Sequence, residues 1–144
     1  MGQSDIFKLI HAVELFTNKA IIKWSKSFQY SIGISPILVL SELLHNGSQK
    51  QTDLANKLGY TPGSITNIAN KLVKNGMAVR EYSESDRRTV YLTITDKGLD
   101  VVNEAHLKGT ELRQELFEAL TEEEVQQFLE IHEKLLAHFD DQST

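Results

Sequence analysis

A mainly α-helical fold with one small β hairpin is predicted by three features of the 144-residue sequence. Apolar residues recur at spacings of three and four along most of its length. That period gives way to alternation only between Val79 and Ile94, where two short runs flank a polar tip. Gly47, Gly59 and Gly76 each follow a periodic segment, and Pro36 and Pro62 each stand near the start of one, so the punctuation agrees with the periodicity.

Taken in order, the elements are six helices and one hairpin. Ile6, Leu9, Ile10, Val13, Phe16, Ala20, Trp24 and Phe28 form one stripe of about six turns, longer than a small compact domain needs. A second helix is expected from about Ser35, as cap ahead of Pro36, to the turn residues His45-Asn46-Gly47. The third spans about Gln51 to Leu58, with Leu54, Ala55 and Leu58 inward and Gly59 as the stop. After Gly59-Tyr60, Thr61 caps a fourth helix whose first position suits Pro62. Its apolar face is Ile65, Ile68, Ala69, Leu72 and Val73, and Asn75-Gly76 ends it. The hairpin joins Val79–Tyr82 to Thr89–Ile94 through the tip Ser83–Arg88, with Val90, Leu92 and Ile94 on one face. Thr95 caps a fifth helix with Asp96 at its positive end, running some 24 residues to Leu120. Thr121 and Glu124 form a capping box ahead of a sixth helix carrying Val125, Phe128, Leu129, His132, Leu135, Leu136 and Phe139.

Composition narrows the function. With no cysteine, thiol redox sensing, disulfides and thiolate zinc sites are excluded. The longest stretch without a charge, Ser27 to Ser41, has 15 residues including Pro36, too short and polar to span a bilayer. Met1–Ile6 lacks the features of a secretory signal, so the expected location is the cytoplasm and no membrane partner is expected. The net charge of −5 is unevenly spread. Residues 49–95 carry seven basic and four acidic groups, whereas residues 96–144 carry four basic and thirteen acidic ones. A basic middle suits an anionic partner, with the acidic third turned away from it.

The order helix, tight turn, acid-free helix, hairpin with arginines at its polar tip is that of a winged helix-turn-helix, with the helix-turn-helix at 51–75, its recognition helix at about 61–75 and the wing at 79–94. A helix fits the major groove, where Asn67 and Asn70 have the groups to pair with adenine and Thr61, Ser64 and Thr66 to meet phosphates or base edges. Pro62 and the small Gly63 let the helix N-terminus approach a phosphate, and Lys71 and Lys74 supply charge. Arg87 and Arg88, at the end of a two-stranded lever, can reach an adjacent minor groove, with Asp86 orienting Arg88.

The chain resembles the MarR family of bacterial transcription regulators over roughly residues 6–139. The resemblance rests on the helix-turn-helix Gln51–Ala55 to Lys71–Gly76, the wing Asp86-Arg87-Arg88-Thr89-Val90-Tyr91-Leu92-Thr93, and the following Thr95-Asp96-Lys97-Gly98. It implies a single domain over 1–144, a recognition helix in the major groove, Arg88 in the minor groove, and a two-fold dimer built from the first, fifth and sixth helices. Release from DNA by a small aromatic or phenolic effector, and repression rather than activation, are further implications of that likeness.

A dimer also follows from the stripes themselves. One chain alone would leave Ile6, Leu9, Ile10, Leu116, Phe128, Leu135, Leu136 and Phe139, in the segments 1–30 and 99–140, incompletely covered. A symmetric homodimer then expects a palindromic double-stranded DNA operator with half-sites about 10 base pairs, or a small multiple, apart. Trp24, Phe28, Tyr30 and Ile37 lie where the first two helices meet, and are either ordinary core or the wall of an effector pocket. No pair among His11, His45, His106, His132 and His138 has ligand spacing on one helix; only Glu42 and His45 offer a two-ligand set, so no metal and no cofactor is expected. No phosphate-binding glycine loop or nucleophile motif argues for an enzyme, and no catalytic residue is assigned. Two alternatives stay open: a winged-helix module that antagonises another regulator through protein contacts, and a metal sensor.

Overall fold

The computed structural model describes residues 2–30 and 32–142. In chain order they form α1 (Gln3–Ser27), α2 (Ile34–Asn46), β1 (Gln49–Lys50), α3 (Gln51–Leu58), α4 (Pro62–Lys74), β2 (Ala78–Tyr82), β3 (Val90–Ile94), α5 (Asp96–Phe117) and α6 (Glu122–Gln142). The described residues fall into two compact units that divide between Gly109 and Thr110.

In the first unit the core is built from the apolar faces of α2, α3 and α4 against the sheet and the start of α5. Val39, Leu40, Leu43, Leu54, Leu72, Met77, Leu92, Val101 and Val102 are almost wholly buried. The sheet has three antiparallel strands in the order β1-β3-β2, with Ala78 opposite Ile94 and Tyr82 opposite Val90. The third strand, β1, pairs Gln49 with Leu92 and Lys50 with Tyr91. Two polar residues carry no alternation, so β1 has no sequence signature.

The cap signals are local and most of them hold. Thr61 Oγ1 accepts from the Ser64 amide, Thr95 Oγ1 from the Gly98 amide, and Thr121 and Glu124 exchange the two bonds of a capping box. The start of α2 differs from expectation. The helix begins at Ile34, one residue before Ser35, because Gly33 at φ 77° turns the chain into it. Pro36 then lies inside the first turn, where the missing N–H would have had no helical partner. Lys57 on α3 reaches Glu42 on α2 at 2.8 Å and holds its carboxyl below the ordinary pKa of 4.5. That tie is fully present above the usual carboxylate range and is lost as pH falls through the lowered value.

The second unit is the end of α5, its turn and α6. Phe128 packs on Phe117 at 5.9 Å and on the His132 ring at 4.4 Å. No helix among the described residues is long and apolar enough to cross a membrane.

Candidate nucleic-acid interface

The helix-turn-helix is fixed by backbone chemistry at its turn. Gly59 closes α3 in the left-handed region at φ 74°, and the Tyr60 amide returns to the Ala55 carbonyl at 2.8 Å. Thr61 then caps α4, with Pro62 at its first turn. Ile65, Ala69 and Leu72 turn inward, and α4 contains no acid. Thr61, Pro62, Gly63, Ser64, Thr66, Asn67, Asn70, Lys71 and Lys74 are all exposed.

The polar groups on this face are unequally available. Thr66 donates its hydroxyl proton to the Pro62 carbonyl at 2.8 Å. Asn70 Oδ1 accepts from Arg80 at 2.5 Å. The Lys71 ammonium donates to the Ile32 carbonyl at 3.1 Å, which ties α4 to the segment ahead of α2 and draws the charge toward the protein. The Asn67 side chain has no hydrogen bond among the described residues and is exposed to solvent.

The wing tip is organised by one carboxylate. Asp86 Oδ1 accepts from the Arg88 amide at 3.0 Å and from Arg88 Nε at 3.4 Å, and Oδ2 accepts from the Thr89 hydroxyl at 3.4 Å. Asp86 therefore folds the tip and aims its neighbour, while a carboxylate itself would repel phosphate. The Arg88 side chain is 94% exposed, so the lever ends in a cation presented to solvent.

The Thr95-Asp96-Lys97-Gly98 segment holds the far end of α4. Thr95 Oγ1 donates to the Gly76 carbonyl at 2.6 Å, and Lys97 Nζ donates to the Asn75 carbonyl at 2.7 Å. The second bond places a cation on the negative end of the α4 dipole. Gly98 passes so close to Met77, the residue ahead of β2, that a Cβ there would stand 2.1 Å from the Met77 carbonyl oxygen.

The remaining sequence-predicted residues fall into three groups. Trp24 stacks on Phe28 at 5.1 Å, Phe28 meets Tyr30 at 5.4 Å, and the Trp24 indole donates to the Ala105 carbonyl at 3.0 Å. Trp24, Phe28 and Ile37 are buried and Tyr30 is half-buried. Ile6, Leu9 and Ile10 on α1 and Phe128, Leu135, Leu136 and Phe139 on α6 are exposed, whereas Leu116 is half-buried. Glu42 is engaged by Lys57 and Asn46, and His45 Nδ1 lies 2.7 Å from the Ser41 carbonyl. No cluster of three metal-ligating side chains occurs among the described residues.

The model of the MarR family matches residues 34–90, from the start of α2 to the first residue of β3. The HTH-type transcriptional regulator MhqR of Bacillus subtilis is 32% identical over 101 residues, spanning 69% of this chain and 70% of that one. The chain belongs to the MarR family. Its members are DNA-binding transcription regulators and not enzymes. The HTH-type transcriptional repressor MdtR of B. subtilis is also 32% identical, over 106 residues covering 72% of this chain and 68% of its own. Among solved structures, the organohalide-sensing RdhR-CbdbA1625 transcriptional regulator, in its 2,4-dichlorophenol-bound form, superposes with a TM-score of 0.79. That alignment has 17% identity over 96% of this chain and 82% of the other, a likeness of fold.

Within this MarR-family chain, sequence reasoning missed Arg80 and Gln51. Arg80 Nε donates to Gln51 Oε1 at 3.3 Å, and Gln51 Nε2 to Thr66 Oγ1 at 3.3 Å. Arg80 lies in an alternating strand and Gln51 at a helix start, where polar residues are ordinary. Only the packing of β2 beside α3 and α4 gives them a role.

Proposed function

We propose that this MarR-family regulator binds a palindromic operator in double-stranded DNA as a homodimer, acts as a repressor in the cytoplasm, and is released by a small aromatic or phenolic effector. The observation that carries the proposal is a pair of surfaces: the exposed face of α4 without an acid, bearing the open Asn67 and Lys74, and the wing tip with its solvent-facing Arg88. Thirteen of the twenty acids belong to residues 96–144, outside both elements.

The two-fold dimer is supported by the apolar side chains that α1 and α6 leave in solvent, Ile6, Leu9, Ile10, Leu135, Leu136 and Phe139. An effector beside Trp24, Phe28, Tyr30 and Ile37 would have to part the Trp24–Phe28 stack, and an aromatic ring is the group best suited to replace one of its two rings. The 2,4-dichlorophenol-bound form of a regulator with the same fold agrees with that class. Such a ligand acts only if it binds better to a dimer whose recognition helices are wrongly spaced.

Selection from a random duplex pool with the purified protein tests the proposal. The expected product is an inverted repeat with half-sites about 10 base pairs, or a small multiple, apart. No enrichment by a folded, dimeric protein would reject it in favour of a protein-contact module. On the enriched duplex, Arg88→Ala is expected to weaken binding about tenfold or more and to lower the salt slope by about two, one for each half-site. Its melting temperature should match the wild type, because an exposed ion pair with Asp86 stabilises by only about 0–1 kcal/mol.

A further inference from the structure

We propose that Arg80 sets the hydrogen-bonding polarity with which Asn70 meets a base, making Asn70 a reader of acceptor edges, guanine above all; this rests on the DNA-binding function proposed for α4. Arg80 is half-buried on β2 and donates through Nη2 to Asn70 Oδ1 at 2.5 Å and through Nε to Gln51 Oε1 at 3.3 Å. A guanidinium has donors only, so the end of each carboxamide that faces it must be the oxygen. With one lone pair of Oδ1 committed to a cation that makes the second a poorer acceptor, the stronger groups Asn70 has left to offer are the two protons of Nδ2.

Turning the amide around would place two donor groups against each other and forfeit a charge-assisted bond, stronger than a neutral one. The two-point pair of asparagine with adenine asks Oδ1 to accept from the adenine amino group as well as Nδ2 to donate. Guanine instead offers two neighbouring acceptors, O6 and N7, to one amino group. Cytosine presents a donor amino group there and is the base most opposed to Asn70 in this orientation.

The constraint continues one turn back along α4. Gln51 Nε2 donates to Thr66 Oγ1 at 3.3 Å, and Thr66 has already given its proton to the Pro62 carbonyl at 2.8 Å. Positions 66 and 70 share a helix face, so the face offers an acceptor at Thr66 and a donor at Asn70, both held from behind by Arg80 and Gln51. Asn67 is outside this network and retains both polarities. Arg80 is thus a positioning residue for base readout, whatever contact it makes with DNA itself.

The test is selection from a random duplex pool with the wild type, Asn70→Ala, Asn70→Asp and Arg80→Met, followed by affinities on duplexes differing at single positions. Asn70→Ala should flatten one guanine position per half-site, reducing its preference about tenfold and leaving the other positions unchanged. Asn70→Asp keeps a partner for Arg80 and should fold and melt as the wild type does or better, yet shift that position from guanine to cytosine. Arg80→Met should admit adenine at the same position. An adenine preference at the Asn70 position in the wild type would overturn the proposal. So would a guanine position untouched by both Asn70 variants, or unchanged in a folded Arg80→Met. Should Arg80→Met fail to fold, the shift in Asn70→Asp decides alone. Enrichment of no sequence by the folded wild type would remove the DNA-binding function and this inference together, whereas enrichment with the wrong base at this position removes the inference only.

Discussion

Gly98→Ala is expected to lower the stability of the protein by about 3 kcal/mol or more, a large effect for one methyl group. The added Cβ would stand 2.1 Å from the Met77 carbonyl oxygen and 2.8 Å from Ile94 Cγ1. The carbonyl cannot swing aside cheaply, since it accepts the Thr95 amide at 3.1 Å in the turn that starts α5. The new methyl group would therefore push the start of α5 away from Met77 and loosen the bonds from Thr95 and Lys97 to the end of α4. Urea unfolding at a fixed protomer concentration checks this, through a lowered midpoint at unchanged slope. A midpoint equal to that of the wild type would show that the approach of Gly98 to Met77 does not constrain the fold.

The second large effect is expected at the proposed dimer contact. Phe139 on α6 is 72% exposed, and Leu135 and Leu136 are 55% and 62% exposed. In a two-fold dimer each substitution is made twice. Removing two buried phenylalanines forfeits about 3–6 kcal/mol, and two aspartates add the cost of desolvating charge. Phe139→Asp should accordingly raise the dimer dissociation constant by about a thousandfold or more. Sedimentation at micromolar concentration should give a monomer where the wild type gives a dimer. Because an exposed side chain contributes little to its own chain's core, the helical circular dichroism should persist. An unchanged dimer would place the interface elsewhere; a monomeric wild type would remove it.

What the sequence made legible and what it did not separate by range of interaction. Thr61, Thr95, Thr121 and the turn glycines act on residues within three or four positions, so their roles could be read from a short window. The acid-free face of α4 and the arginines at the tip of the wing were legible in the same way, because helix and strand periods assign faces without knowledge of neighbours. The roles of Arg80, Gln51 and Lys71 were not. Arg80 bonds a residue 29 positions away and Lys71 one 39 positions away, and the sequence offers no signal for either partner. Lys71 illustrates the consequence: a lysine on a DNA-facing helix is expected to serve phosphate, and here it ties that helix to the Ile32 carbonyl. Gly98 is intermediate. It is visible as part of the Thr95–Gly98 run, but only the approach of Met77 explains why a side chain is excluded there.

The salt dependence of binding to the selected duplex tests the central claim most directly, that α4 and the wing form a cationic surface for DNA despite the net charge of −5. If Lys74, Arg87 and Arg88 on each protomer displace counterions, log K should fall linearly with log salt, with a slope of about −0.9 per phosphate neutralised. A dimer neutralising about six phosphates would then lose roughly a thousandfold in affinity between 50 and 200 mM salt. Affinity that is weak and indifferent to salt would contradict the claim, since no nucleic-acid surface built from these residues can bind without releasing ions.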